Sequence, residues 1–216
     1  MNTEKTSDAG NEHFSDYIEH NNYYVDKTSF LSPLIYDGRV SMFTRPRRFG
    51  KTLTLSMIHE FFNLDFKNPG DTSRQERLFK GLDVMKDTEF VQKYMGQFPV
   101  VFMSLKSIQG LDFEDALAKF ASVMALKARE YSFLLQSPKL DEYEKRELEL
   151  VMDEDALLEP KHHYKILRFP WFISRILQEH FGRRVILLID EFDMPLIYAS
   201  CQCSYEMTEN CSPELS

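Results

Sequence analysis

The spacing of apolar positions predicts a chain in which helices alternate with short strands. After Gly50, apolar residues recur at helical spacing, at Leu55, Ile58 and Phe62, and predict a helix. The stretch "FPVVFMSL" at 98–105 is rich in β-branched and aromatic residues, so it predicts a buried strand. A strand and a helix that follow each other in this way are typical of α/β proteins.

The second half of the chain continues the alternation. A long helix is expected to bury one face, and the residues of that face are Phe113, Leu117, Phe120 and Met124. Residues 139–158 predict an exposed acidic helix, and Pro170 suits the first turn of another helix, "WFISRILQEHF". The apolar run "RRVILLID" at 183–190 predicts a further strand.

Three local signals lie before and after the first predicted helix. Asp26 and Thr28 are predicted to cap a short helix, whose apolar residues are Phe30, Leu31, Leu34 and Ile35. The stretch "RVSMFT" at 39–44 predicts a short buried strand that leads into a loop. "NPGD" at 68–71 predicts a turn.

Strands separated by helices predict an α/β fold with a largely parallel sheet flanked by helices. Ligands bind such sheets beyond the carboxyl ends of the strands. We expect residues 1–13 to form a flexible tail, residues 14–200 to form the domain, and residues 201–216 to be an unstructured tail.

Composition and charge narrow the function. An apolar fraction of 43%, with 18 Phe and 10 Tyr, is sufficient for a large core. A net charge of −8 argues against a surface built for nucleic acid. Residues 39–51 hold five bases and no acid, whereas residues 141–159 hold nine acids and two bases. The sequence has neither an apolar run of membrane-spanning length nor a signal peptide, so a cytoplasmic location is expected.

The basic segment contains a candidate phosphate-binding loop. "TRPRRFGKTLTLSMI" includes Gly50-Lys51-Thr52, the end of a Walker A loop, but Arg45 stands where the usual pattern has its first glycine. Because Pro46 has no N–H, the phosphate cradle must rest on the residues that follow it. The predicted nucleotide-contacting residues are Arg47, Arg48, Phe49, Gly50, Lys51, Thr52 and Leu53.

Each residue of this loop suits one task. Gly50 would permit close approach of the backbone to a phosphate, and Lys51 would reach the β- and γ-phosphates. The Thr52 hydroxyl would hold Mg²⁺. The side chains of Arg47 and Arg48 could add phosphate contacts. The alternative interpretation is a solvated basic loop.

"VILLIDEFD" at 185–193 is a candidate Walker B segment. Asp190 would hold Mg²⁺, directly or through water, and Glu191 would polarise the attacking water. The alternative is a buried strand whose acidic end only faces solvent. The combination of this strand with the earlier Gly-Lys-Thr segment favours nucleotide binding, with Lys51 and Glu191 as the catalytic pair.

Four segments together resemble the bacterial AAA-ATPase-like family. They are "YYVDKTSFL", "TRPRRFGKTLTLSMI", "FPVVFMSLK" and "VILLIDEFDMPL", and the resemblance runs from Phe14 to Tyr198. It implies that Arg45 is the family's own form of the loop. It also implies a P-loop NTPase fold, with ATP and Mg²⁺ as ligands and the roles given above. Asp193 and Pro195 match the family's extension of the second motif, and Asp193 would orient Glu191 or cap the next element.

The sequence also departs from that family. Relatives continue with a further strand that senses the γ-phosphate, a basic residue that acts on the transition state, and often a nuclease domain. The present sequence ends at Ser216. We therefore expect a sheet that is incomplete at its carboxyl-terminal end, with an open apolar edge, and impaired hydrolysis.

Three functions are compatible with these patterns. The first is a Mg²⁺-dependent ATPase. The second is an ATP-gated module or remnant that binds a partner protein or a second copy without useful turnover. The third is DNA binding through Arg39, Arg45, Arg47 and Arg48, which the net charge disfavours. No membrane partner is expected.

Several other residues have two interpretations each. Trp171 would stack on a base or pack in the core, and His162-His163 is expected to be a surface pair. Tyr23, Tyr24 and Asp26 would close over adenine or pack against the sheet. Ser104 and Lys106, at the end of the strand predicted at 98–105, could face the phosphates. Cys201, Cys203 and Cys211 would bind metal or lie in an unstructured tail.

Overall fold

The computed structural model describes residues 12–36, 40–44, 49–108 and 112–192. Contacts divide these residues into two compact units. Unit 1 comprises the described residues up to Val101 together with Arg183–Leu188, and unit 2 comprises Phe102–Gly182 together with the described residues from Ile189 onward. Residues 1–11 and 193–216 lie outside the described part, so the predicted tails and domain boundaries stay predictions.

Unit 1 is a set of short helices around α3. Its α-helices are α1 (Phe14–Glu19), α2 (Leu31–Tyr36), α3 (Lys51–Phe62), α4 (Ser73–Phe79) and α5 (Thr88–Tyr94). Its 3₁₀ helices are Thr28–Phe30 and Asp83–Lys86. The predicted turn at 68–71 is present, because the Asp71 N–H donates to the Asn68 carbonyl at 3.0 Å.

A cluster of buried phenylalanines forms the core of unit 1. Phe61 packs against Phe62, Phe79 and Phe90 with ring centroids 5.0, 5.2 and 5.5 Å away, and Phe14 packs against Phe79 at 4.8 Å. Full burial of each such ring stabilises the fold by about 1.5–3 kcal/mol. Phe61 and Phe62 belong to α3, so the helix predicted after Gly50 is confirmed.

Unit 2 consists mainly of four helices. They are α6 (Phe113–Glu130), α7 (Glu142–Met152), α8 (Glu154–Leu158) and α9 (His163–Phe181). The 3₁₀ helices Ser132–Gln136 and Pro160–His162 precede α7 and α9. Acidic residues start three of these helices. Asp112 caps α6, Asp153 caps α8, and Asp141 forms a capping box with Glu144 at the start of α7.

Strands β1 (Val100–Ser104) and β2 (Ile186–Asp190) form the sheet. The Ile186 N–H donates to the Pro99 carbonyl, and the Leu105 N–H donates to the Asp190 carbonyl, both at 3.0 Å. From the first of these bonds to the second, the residue numbers increase on both strands, so the strands are parallel. The fold of the described residues is therefore α/β, mostly helical, with a small parallel sheet, and both strand predictions are confirmed.

The predicted strand at 39–44 is wrong for its described part, residues 40–44. These residues form no strand, and Val40 and Met42 are 88% and 69% exposed. Phe43 instead packs edge-on against Phe30 at 5.3 Å. Val40 and Met42 would share one face of a strand, and their exposure shows that none of the described segments covers that face.

The predicted helix start at Pro170 is also wrong, because Pro170 lies inside α9. An interior proline costs about 3 kcal/mol through its missing N–H and its ring. A continuous apolar face on α9 opposes that cost, and its buried residues are Ile166, Phe169, Phe172, Ile173, Ile176 and Leu177. Burial of this face outweighs the local penalty.

Two predicted helices are present but bury other faces than expected. In α6 Phe113 is exposed, and the buried residues are Ala121, Met124, Ala125 and Ala128. Small alanines permit close approach of neighbouring helices, which the count of large apolar residues does not reveal. The predicted acidic helix is two helices, α7 and α8, and each has a buried side.

Candidate functional site

The amino end of α3 carries the candidate phosphate loop. Gly50 is the residue before the helix and has a left-handed backbone, with φ of 71°. Glycine adopts this conformation without the penalty that a Cβ brings. The backbone N–H and the hydroxyl of Thr54 both donate to the Gly50 carbonyl, at 3.0 and 2.8 Å. These bonds fix the point at which the loop becomes a helix.

This helix end is suited to an anion. Lys51, Thr52 and Leu53 are the first three residues of α3 and are half-buried. Gly50 has no side chain with which to cap the helix, and the first turn contains no acid. The amino end of a helix therefore presents N–H groups and partial positive charge, and Lys51 adds a full positive charge there.

Contacts along its length hold α3 in place. The Ser56 hydroxyl accepts a hydrogen bond from the Phe14 N–H at 3.0 Å, and the Tyr24 hydroxyl donates to Met57 Sδ at 3.1 Å. At the carboxyl end, Asn63 Oδ1 accepts from the Val100 N–H at 2.9 Å, which connects α3 to the start of β1. A phosphate loop on a helix fixed in this way is preorganised.

The "VDKT" segment has a structural role in unit 1. Asp26 accepts hydrogen bonds from the N–H and hydroxyl of Thr28 and, 57 residues away, from the Asp83 N–H. The Thr28 hydroxyl accepts from the Val84 N–H at 3.0 Å. Burial alone raises the pKa of Asp26, but the three hydrogen bonds outweigh it and hold the pKa below its usual range.

Tyr24 is likewise engaged in packing. Its ring lies edge-on against Phe14 at 5.2 Å, and burial raises the pKa of its hydroxyl to about 12. Tyr24 and Asp26 thus pack within the helical part of unit 1, whereas the predicted packing was against the sheet, and closure over adenine stays a prediction. The predicted caps are only partly present: Asp26 accepts from the first N–H of the 3₁₀ segment, but Lys27 occupies the cap position without a side-chain bond, and Thr28 lies inside the segment. The link to Asp83 and Val84 was not predicted, because hydrogen bonds between distant backbone groups leave no local signal in the sequence.

The second candidate motif lies at the end of β2. Asp190 is 3% exposed and shares the buried side of the strand with Leu188, whereas Leu187 and Ile189 are partly exposed. The Glu191 N–H donates to Asp190 Oδ1 at 3.1 Å. Glu191 has a φ of 55°, which is uncommon for a residue other than glycine. Such strained backbone clusters at functional sites.

The two candidate motifs belong to different units. Phe49, Gly50, Lys51, Thr52 and Leu53 are described in unit 1, with Phe49 exposed, whereas Asp190 and Glu191 are described in unit 2. The remaining predicted residues, Arg47, Arg48, Asp193 and Pro195, lie outside the described residues. Each motif thus occupies the local position that the sequence predicted: a helix start and a strand end.

Each candidate motif carries an oxygen donor of its own. In unit 1 the Thr52 hydroxyl belongs to the first turn of α3, and in unit 2 the Asp190 carboxylate ends β2. Oxygen ligands are those that Mg²⁺ prefers, and proteins hold it through one or two such groups together with phosphates and water. Within the described residues there is no cluster of three or more His, Cys, Asp or Glu side chains that would hold a metal by itself.

Other candidate residues are placed as follows. His162 Nδ1 donates to the Ala156 carbonyl at 2.8 Å, and His163 Nε2 donates to the Leu158 carbonyl at 2.9 Å, so the pair caps the carboxyl end of α8. Ser104 is exposed at the end of β1, and its hydroxyl accepts from the Lys106 N–H at 3.4 Å. Cys201, Cys203 and Cys211 lie outside the described residues.

Unit 2 also contains a groove of about 610 Å³, whose lining residues belong to neither motif. Its lining residues are Trp171, Ser174, Arg175, Gln178, Glu179 and Gly182. Trp171 is 57% exposed, so its predicted packing in the core is wrong.

None of the described helices combines the length and the apolar character needed to cross a bilayer.

Comparisons with known proteins agree with the motifs. One relative is an "Uncharacterized protein in vnfD 5'region" from Azotobacter chroococcum mcd 1, 27% identical over 177 residues. The match covers 81% of the present chain but only 26% of that relative. No solved structure matches. The sequence profile of the AAA-ATPase-like family, described as "Predicted AAA-ATPase", matches residues 8–212, and the chain therefore belongs to this family.

Proposed function

We propose that the protein binds ATP and hydrolyses it in a Mg²⁺-dependent reaction on a P-loop NTPase fold. The observation that carries the proposal is the start of α3. A left-handed glycine is followed there by Lys51 and Thr52, in a chain whose family is described as a predicted AAA-ATPase. A helix start of this kind favours phosphate over other ligands.

The proposal assigns a separate task to each group. The N–H groups from Phe49 to Leu53 surround the phosphate oxygens, and Lys51 neutralises their charge. Arg47 and Arg48 add side-chain contacts to phosphate. Thr52 and Asp190 hold Mg²⁺, which supplies further positive charge to the phosphates when bound.

Glu191 is the proposed residue for the attacking water. Its carboxylate would orient the water and accept its proton. The hydrogen bond between Asp190 Oδ1 and the Glu191 N–H supports this role, since it fixes the backbone from which the carboxylate projects. A buried Asp190 beside a constrained Glu191 is consistent with a metal ligand followed by a general base.

The first experiment is calorimetric titration with ATP and Mg²⁺, with phosphate release followed in the same samples. The parent protein is expected to bind, and Lys51→Ala is expected to lose at least tenfold in affinity. Lys67→Ala is the matched control, because Lys67 is an exposed lysine outside the motif. Absence of binding by a folded parent protein would refute the proposal.

A Glu191→Gln variant separates turnover from binding. For an ATPase, this variant keeps ATP affinity within a few-fold of the parent value and loses phosphate release by 10²-fold or more. ATP binding without phosphate release by the parent would instead indicate the ATP-gated module. In either case the protein would act in the cytoplasm, where ATP is available.

A further inference from the structure

Helix α9 has apolar residues on two sides. One side is buried, as described above. On the opposite side Tyr164, Leu167 and Trp171 are 49%, 82% and 57% exposed and recur at i, i+3 and i+7. This is the spacing by which a helix presents anchors to a partner. We name Tyr164, Leu167, Arg168 and Trp171 the α9 face.

Positive charge accompanies these apolar residues. The guanidinium groups of Arg168 and Arg175 lie 5.1 and 5.5 Å from the centre of the Trp171 ring. Arg175 also forms ion pairs with Glu144 and, at 3.8 Å, with Glu179, so Arg168 supplies the net positive charge beside Trp171. Glu179 is the only acidic residue within α9, near its carboxyl end. In a protein of net charge −8, the α9 face is therefore a local cationic and aromatic surface.

The same unit carries a surface of opposite charge. Residues 141–159 hold nine acids and two bases, and four of these acids are exposed on α7, on α8 and between them, at Glu142, Glu149, Asp153 and Asp155. Tyr143 is exposed among them. We name these five residues the α7–α8 face.

We propose that the α9 face binds the α7–α8 face of a second copy of this chain. General repulsion between two chains of net charge −8 opposes most orientations, but in this orientation Arg168 meets carboxylates. Contact also removes Leu167 and Trp171 from water. The groove beside Trp171 offers room for an aromatic side chain such as Tyr143 of the second copy.

The predicted association is weak and sensitive to salt. Trp171 lies seven positions after Tyr164, so the apolar stripe is only about 10 Å long at the helical rise of about 1.5 Å per residue. A contact of this length belongs to the small class of interfaces, and a dissociation constant in the micromolar range or above is expected. The proposal does not depend on nucleotide binding, and its test requires no ATP.

Sedimentation velocity over a range of protein concentrations tests the proposal, with fluorescence measured on the same samples. Trp171 is the only tryptophan, so its emission reports burial of the α9 face directly. We expect the sedimentation coefficient to rise and the emission to shift to the blue as concentration increases. A chain that stays monomeric with unshifted emission at all concentrations would overturn the proposal.

Leu167→Glu should abolish the association, because it adds a carboxylate opposite an acidic surface. Leu126→Glu is the matched control, since Leu126 is exposed on α6 and lies outside both faces. Circular dichroism verifies that both variants are folded. If both variants weaken the association equally, or neither does, the α9 face is not the contact.

A charge exchange identifies the partner surface. Arg168→Glu should weaken the association at least tenfold, and the combination with Glu149→Arg and Asp155→Arg should restore most of it. Restoration would assign the contact to the α7–α8 face. A combined variant no stronger than Arg168→Glu would show that Arg168 meets a different surface and would overturn the proposal.

Discussion

Helices α3 and α9 are fixed within their units by different chemistry. In unit 1, Phe61 of α3 packs against Phe79 and Phe90, with ring centroids 5.2 and 5.5 Å away. In unit 2, α9 adds two ion pairs to its apolar face. Arg175 binds Glu144, and Lys165 binds Glu147 at 2.8 Å.

The difference explains what each helix offers to the outside. None of the large apolar side chains of α3 is exposed, so its reactive part is the amino end with Gly50 and Lys51. In α9 the ion pairs of Lys165 and Arg175 reinforce the attachment beside the buried apolar face, while Leu167 and Trp171 are exposed on the other side of the helix. We therefore associate α3 with the binding of a small ligand and α9 with the binding of a protein surface.

Truncation of one aromatic residue in each helix gives the largest expected contrast. Phe61→Ala should lower the free energy of unfolding by about 3–5 kcal/mol, because it leaves a cavity in the core. Trp171→Ala should lower it by less than about 1 kcal/mol, because Trp171 is largely exposed. Urea unfolding followed by circular dichroism measures both. Similar losses in the two variants would contradict the comparison.

The ion pair between Lys165 and Glu147 provides the next contrast. Glu147→Ala should lower the free energy of unfolding by about 3 kcal/mol, because it leaves Lys165 buried without its carboxylate. Joint replacement by Leu at 147 and Met at 165 should recover most of that loss, since no buried charge then remains. The same unfolding experiment measures both variants, and a double variant no better than the single one would show that the pair itself stabilises α9.

Substitution of two glycines with left-handed backbone distinguishes an effect on stability from an effect on ATP binding. Gly50 precedes α3 and Gly182 follows α9, with φ of 71° and 66°, and an added Cβ would meet no atom within 4 Å at either position. Gly50→Ala and Gly182→Ala should each cost about 1–2 kcal/mol through backbone strain. Only Gly50→Ala should also weaken ATP binding in calorimetry, and equal weakening by both variants would argue against the proposed loop.

The smallest expected effect is a pH dependence in unit 1. The pKa of the Asp26 carboxyl is lower in the folded protein than in the unfolded chain. The ionised carboxylate therefore adds to the free energy of unfolding above the unfolded pKa, and this stabilisation is lost as the pH falls below about 4 and through the folded pKa. Asp26→Asn should therefore cost about 1 kcal/mol near pH 7 and progressively less in acid. Asp65→Asn is the control, because the described hydrogen bonds of Asp65 are local ones, from the N–H groups of Lys67 and Asn68. Unfolding curves that shift in parallel at pH 7 and pH 3 would contradict this prediction.

The sequence predicts those elements whose signals are local and agree with each other. Helix α3 and strands β1 and β2 have strong apolar patterns and clear boundaries, and all three are present. The start of α9 could not be predicted from Pro170, because burial of the long apolar face outweighs a local proline rule. Residues 40–44 have a β-forming composition, but no other part of the chain that the structure describes covers Val40 and Met42.

In the candidate site, too, features set by neighbouring residues could be predicted, whereas features set by tertiary contacts could not. The position of Lys51 and Thr52 at a helix start, and of Asp190 at a strand end, follows from adjacent residues in the chain. The left-handed backbone of Glu191 and the contact between Asp26 and Asp83 depend on tertiary context. A single sequence contains no local signal for either.

The division of the chain into units also bears on its folding during synthesis. Each unit combines an earlier stretch of the chain with a later one: unit 1 takes in Arg183–Leu188, and unit 2 takes in the described residues from Ile189 onward. Neither unit is therefore complete until β2 has left the ribosome. Because incomplete units expose apolar surface, a nascent chain that still lacks β2 is expected to be the form most in need of a chaperone.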